Sequence, residues 1–278
     1  MDPTSIAPVR AVLDGLSQLV VGLADLIHPL AGASATGVAV ILLTLGVRAV
    51  LVPVGVAQVR AEIQRRRIAP ALAELRRRHA GKPEQLARAT QELYAREGAS
   101  PLAGCLPTLA QAPVLAAVYA LFAHARIGGE ANALLAAPSA GIPLGSSALS
   151  AAAMGVAPLV VSVVVLGLLA VVIEVRRRAD LRFQGPPAPV DPAVPGMAGM
   201  TTTMRVLPFV TVVFAVVAPL AAALYLLTSA AWTLVERAAL RRLLGRAPSP
   251  GDGRRVIQPA GPRHPVCEDR RTPSREPP

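Results

Sequence analysis

Carboxylates are scarce in this chain. Its 278 residues hold 17 Asp and Glu against 28 Lys and Arg, and Lys82 is the only lysine. The formal net charge of +11 is therefore carried almost wholly by arginine. Cysteine is scarcer still: Cys105 and Cys267 stand far apart, which gives no disulfide framework. C-x-x-C and His/Cys metal patterns are absent, and so are G-x-G-x-x-G and Walker-type loops. A Ser/His/Asp arrangement is also missing, with His79 and His124 standing alone. The sequence thus implies no covalent chemistry, no cofactor, no metal and no DNA partner. What it has in quantity is apolar residues, 53% of the total. A high apolar fraction with a strongly basic balance fits a polytopic membrane protein with basic loops.

The stretch from 36 to 58, TGVAVILLTLGVRAVLVPVGVAQ, organises the rest. A helix needs roughly 20 apolar residues to cross a bilayer, and this run has them. Arg48 lies well inside it, on the order of 15 Å from either end. A guanidinium there costs about 2.5–3.5 kcal/mol on insertion scales, so it is expected to face protein or a wet cavity. Thr44 lies one turn earlier on the same face. The competing reading is a misplaced span whose arginine reaches the headgroups. Pro53 is expected to bend this span near its end.

Ahead of it, residues 11 to 30 place Val12, Leu16, Leu19, Leu23, Ile27 and Leu30 on one face, with Asp14, Gln18, Asp25 and His28 on the other. Such a helix reads as interfacial. A signal peptide and a span are the alternatives, and Asp25 interrupts the apolar core that the first requires. Residues 59–100 are arginine-rich, with short apolar stripes at Ile68, Leu72, Leu75 and at Leu86, Leu93, Tyr94, and a turn signal at Gly81-Lys82-Pro83. They read as two antiparallel helices outside the membrane, with Pro70 starting or kinking part of the first. Four further apolar segments follow, at 105–125, 155–175, 204–217 and 220–240. The fourth span, 204–217, is short and meets Pro219 at a tight reversal. The loop from 126 to 154 is Gly-, Ala- and Ser-rich, and 179–202 reads as a flexible loop. The interior of these spans is read as lacking Asp and Glu, so Arg48 has no fixed countercharge and calls for water around it.

The expected fold is all-α: five transmembrane helices with a cytoplasmic helical hairpin and a hydrophilic groove. The expected domains are an interfacial helix over 1–35, a core over 36–244 and a basic disordered tail over 245–278. Arginine distribution orients it. Ten Lys/Arg lie between Arg60 and Arg96, five from Arg176 to Arg205 and ten from Arg237 to Arg275, against only Arg10 and Arg126 on the opposite side. This puts the hairpin and C-terminus in the cytoplasm and the N-terminus outside. The tail arginines could meet ribosomal RNA or anionic lipid, or only anchor topology.

Leu93-Tyr94, Gly98, Pro101-Leu102, Gly104-Cys105-Leu106-Pro107, Gln111, Pro113 and Tyr119 together resemble the most characteristic run of the YidC/Oxa/Alb membrane insertases. Arg48 followed by Pro53 resembles the family's first span and its cavity arginine, and Pro219, Tyr225, Thr228-Ser229 and Trp232 resemble its last span. The resemblance covers roughly residues 36 to 244. It departs at Ser100, where Asn is usual, and at Ala221, Leu226, Ala230 and Glu236, where the family often has Gly, an aromatic, Asn and Gln.

The resemblance implies a non-enzymatic insertase of the bacterial cytoplasmic membrane. Its partners would be nascent membrane proteins, with the ribosome and the Sec translocon as further candidates. Arg48, Thr44, Thr108, Gln111, Tyr225 and Ser229 are the candidate groove residues. For the threonines a local bond to the preceding helical turn is an equal alternative. Tyr119, Tyr225 and Trp232 read as packing or interface anchors, with the resemblance raising Tyr225. An anion channel or transporter and a non-catalytic assembly scaffold are the rival functions.

Overall fold

The computed structural model describes residues 7–99, 116–124, 126–127, 130–139, 141–184 and 209–245. The first two helices, α1 (Ala7–Ala31) and α2 (Ala35–Val50), are joined by a 3₁₀ turn at Gly32–Ser34 and pack against each other. Leu13 and Val20 of α1 are fully buried, and Leu16, Leu23 and Ala24 pack beside them. The buried stripe is therefore rotated from the expected one, and Val12, Leu19 and Leu30 are exposed. The reason is composition: α1 is apolar around most of its circumference, so α2 covers one part while another stays bare.

The chain is interrupted at Leu51, two residues before Pro53, and resumes as α3 (Val52–Arg78). Pro53 has no N–H to give the preceding turn and its ring crowds that turn, which displaces the break toward the N-terminus. Leu51 N–H still bonds the Val47 carbonyl at 3.1 Å. Instead of a span ending at 58 and a separate hairpin arm, α3 is one helix that runs through Pro70 to Arg78. Gly81, at φ 75°, makes the turn into α4 (Pro83–Arg96), which starts with proline at its first turn. Ala71, Leu75, Ala89 and Leu93 line an apolar trough between the two arms, with Glu74, Arg78, Glu92 and Arg96 at its rim. Hydrogen bonds from Arg78 and Arg77 hold the Glu74 carboxyl below its usual range.

A short helix, α5 (116–123), buries Val118, Leu121 and Phe122. The following loop is ordered by its own contacts. It carries hairpins β1 (Arg126–Ile127) with β2 (Glu130–Ala131) and β3 (Pro138–Ser139) with β4 (Ile142–Pro143), both antiparallel. Between them lies α6 (Ala133–Ala136), and after them α7 (Ala148–Met154). Buried Asn132 organises this region. Its amide donates to the carbonyls of Leu121 at 2.7 Å and His124 at 3.1 Å, and its Oδ1 accepts from the Leu134 N–H, capping α6. Leu134, Leu135, Ile142 and Leu144 join the main core.

Helix α8 (Val156–Gln184) extends nine residues past the expected end of the third span. Much of its apolar surface is bare, with Val156, Val160, Val163, Val164, Leu168 and Val171 all at least half exposed. A second such face on α9 (209–217) carries Val210, Val213, Phe214 and Val217. Contiguous apolar surface of this kind is foreign to a water-facing domain and belongs against lipid. After the reversal at Ala218-Pro219, α10 (Leu220–Gly245) packs on α2, α3 and α8 and forms the centre of the bundle. The loop carbonyls of Ser146 and Leu144 accept the Leu220 and Ala221 N–H groups at 2.8 and 2.9 Å, satisfying donors that a helix start otherwise leaves open.

Among the described residues, Arg10–Val50 and Val156–Phe183 are long and apolar enough to cross a membrane by length and composition. α10 is not one of these segments, because Thr228, Ser229, Thr233, Glu236 and Arg237 dilute it. The second span lies largely outside the described residues, as do the tail from 246 and the loop after Gln184.

Candidate functional site: a charged cavity between three helices

Arg48 occupies the last turn of α2, half-buried. The unpaired carbonyls of a helix C-terminus favour a cation there. Its Nε donates to the Ser229 hydroxyl of α10 at 3.0 Å, and Nη2 donates to the same oxygen. Ser229 is itself buried. The arginine and serine expected from sequence are thus brought together from positions 181 residues apart.

Around them the helical spacing of two elements meets. Arg48, Leu51, Gly55 and Gln58 descend one side; Thr233, Glu236, Arg237 and Leu240 descend the other. Together they enclose a cavity of about 20 Å³, enough for one water molecule. The i, i+3 and i+4 steps put each set on one helical face. Gly55 permits the close approach: a Cβ at this position would overlap the Glu236 Oε1 and lie 2.8 Å from its carboxyl carbon.

Two expectations change here. Arg48 was expected to lack any nearby fixed carboxylate, yet Glu236 lines its cavity. It was missed because it reads as the polar end of an apolar run, whereas its helix continues to Gly245. Of the expected hydrophilic groove, the described residues show this small space, and Thr108 and Gln111, two of its expected lining residues, fall outside them. The arginine also sits at a helix end rather than midway along an unbroken span.

The remaining candidates divide. Thr44 is fully buried and gives its hydroxyl to the Val40 carbonyl at 2.7 Å, the local bond open to a helical threonine. Tyr225 is buried one turn before Ser229, its ring 6.3 Å from both Tyr119 and Phe122. It joins an aromatic cluster that Tyr119 extends to Phe214 at 6.0 Å. Thr108 and Gln111 fall outside the described residues. Sequence reasoning also missed Gly55, Gln58, Thr233 and Arg237; three- and four-residue steps from Arg48 and Ser229 were the available signal. His124 bonds the Ala120 carbonyl through Nδ1 at 3.0 Å.

Just beyond the cavity, three helices are tied, α8 and α10 near their C-terminal ends and α3 in its first half. Arg241 donates to Glu62 of α3 at 2.7 Å and to Asp180 of α8, with its side chain only 9% exposed. Its guanidinium also lies 4.5 Å from the Phe183 ring centroid, while Arg66 lies 4.8 Å from the same ring.

Bare apolar helix faces around a polar, charged interior define a helical membrane protein. The model of a family described as 60Kd inner membrane protein matches residues 26–246. The Inner membrane protein ALBINO3, chloroplastic, of Arabidopsis thaliana is 30% identical over 239 residues, covering 82% of this chain and 51% of that protein. The Membrane protein insertase YidC of Shewanella pealeana is 41% identical over 83 residues, 30% of this chain and 15% of that protein. Its namesake from Oceanobacillus iheyensis is 38% identical over 87 residues, 30% of this chain and 34% of the relative. The chain belongs to the YidC/Oxa/Alb family of membrane proteins. It spans about half the length of the chloroplast relative, and the matches to these two bacterial proteins cover less of them.

Proposed function

We propose that this protein is a membrane protein insertase that helps apolar segments of nascent chains enter a bacterial cytoplasmic membrane. The observation that carries the reading is Arg48, held by Ser229 beside a polar cavity, within helices whose outer faces suit lipid. The names of the bacterial relatives support it. In this mechanism the cavity is the closed form of a hydrophilic groove. Arg48 draws in a polar or acidic flank, and the apolar segment then moves along α10 into lipid, driven by burial of its surface. Ser229 and Tyr225 position the arginine, Thr44 packs beneath it, and Thr108 and Gln111 complete the lining. Five spans, built on α2 with the start of α3, on 105–125, on α8, on 204–217 and on α10, hold this arrangement, with the N-terminus outside and the C-terminus in the cytoplasm. The ribosome, the Sec translocon and anionic lipid are partners of the cytoplasmic face, and α1 lies in the interface.

The experiment is insertion of a single-span substrate with neutral flanks into liposomes with and without the full-length protein, scored by protease protection. A several-fold gain is expected. No gain, accompanied by anion conductance through the same vesicles, would replace the reading with that of a channel.

A further inference from the structure

Glu236 and Arg48 share one cavity without forming an ion pair: among the described residues, no contact within 4.0 Å joins Glu236 to Arg48 or Arg237. The Glu236 Oε1 is shut off from solvent, and the indole N–H of Trp232, one turn away, is its neighbouring side-chain donor. An ionised carboxylate accepts at both oxygens, so beside the indole it keeps acceptor capacity toward the cavity. The fold has made room for it, since Gly55 is the only residue type that leaves this carboxylate its space without displacing it. Arg48 bonds Ser229, a neutral partner, rather than this carboxylate.

The geometry points to Glu236 as a specificity-determining residue that receives cationic side chains, lysine or arginine, from the flank of a transiting chain. The cavity is thus bipolar. Arg48 and Arg237 favour acidic flanks, and Glu236 offers a complementary acceptor that keeps basic flanks from being repelled. Without Glu236 the same walls would carry two positive charges and no negative one. This inference rests on the insertase reading and names the substrate range of its site.

The test uses full-length protein in liposomes without a membrane potential, and three single-span substrates differing only in flank: aspartate, lysine or neutral. Insertion of the neutral substrate with and without protein decides the insertase reading by itself. For the inference, wild-type protein should insert aspartate and lysine flanks at rates within about threefold of each other. Glu236→Gln keeps the shape and removes the charge, and should raise the aspartate-to-lysine ratio about fivefold or more. Glu236→Asp keeps the charge and should stay closer to wild type. All rates are normalised to folded protein. A strong aspartate preference in the wild type, an unchanged ratio in Glu236→Gln, or equal shifts in both variants would each overturn the assignment. The wild-type comparison holds even where a variant does not accumulate.

Discussion

The Arg48 guanidinium spends two of its N–H groups on one neutral oxygen, the Ser229 hydroxyl, so α2 and α10 are joined without an ion pair at the guanidinium. A carboxylate in place of Ser229 would hold the helices as well and silence the charge. The pairing therefore fits a residue that must be both fixed and electrostatically available.

Replacement of Arg48 separates these two roles. Arg48→Lys keeps the charge and loses the fork of donors, so insertion should fall only modestly. Arg48→Ala should lower insertion of substrates with acidic flanks about tenfold relative to neutral ones, the effect of about 1.4 kcal/mol. Paired substrates measured in liposomes, normalised to protein level, check both. Equal loss for acidic and neutral flanks would refute the attraction mechanism.

Gly37 of α2 faces Ser139 of β3 so closely that a Cβ there would overlap the serine hydroxyl and lie 3.1 Å from its Cβ. Gly37→Ala should therefore destabilise the protein by about 1–3 kcal/mol through overpacking. The double variant Gly37→Ala with Ser139→Gly should recover most of that loss. Thermal unfolding in detergent reads the cycle, and additive effects would show that the two residues do not meet.

Arg241 is the shared partner of Glu62 and Asp180. Arg241→Met leaves two carboxylates, one on α3 and one on α8, without the cation they share. A loss of about 3–5 kcal/mol is expected, as for removal of one member of a buried ion pair. Arg241→Lys should lose less. Thermal stability of the purified variants provides the measurement, and a neutral outcome for Arg241→Met would mean that α3 and α8 are held by apolar packing alone.

Orientation can be read chemically. With Cys105 and Cys267 replaced by serine, a cysteine at exposed Arg88 should react with an impermeant thiol reagent only from the cytoplasmic side. One at exposed Ala136, on α6, should react from outside. Ala136 serves better than Ser139, whose side chain packs on Gly37. Labelling of the Arg88 position from outside would invert the topology.

How much of this was legible depends on whether the signal is local. Pro219 announced the reversal before α10, and Gly81 with Pro83 announced the hairpin turn, because those residues act on their own backbone. Arg48 and Ser229 were legible as a polar residue in each of two apolar runs. The break at Leu51 was expected two residues later, since the strain from Pro53 falls on the turn ahead of it. The ordered loop was not legible. Its key residue, Asn132, is a lone polar side chain whose meaning comes from carbonyls at Leu121 and His124 exposed by the end of α5. Glu236 was misread for a similar reason: only the absence of a side chain at Gly55, 181 residues earlier, turns it from a terminal marker into a cavity wall.

The loop that closes over the start of α10 limits the routes that the proposed function leaves open to a guest. From the carbonyls of Leu144 and Ser146, which seat Leu220 and Ala221, down to Ser229, α10 runs about 13 Å. Over that length Leu220, Ala221, Ala222, Ala223 and Tyr225 are all buried. The charged space at Arg48 is accordingly a cul-de-sac at that end, stoppered by some two turns of alanine-rich helix and a folded cap. A polypeptide that enters beside Arg48 meets no straight bore to the far side through the described residues. In the proposed insertase such a chain would turn and leave sideways, past the bare valines of the outer helices, with the bilayer itself as the exit.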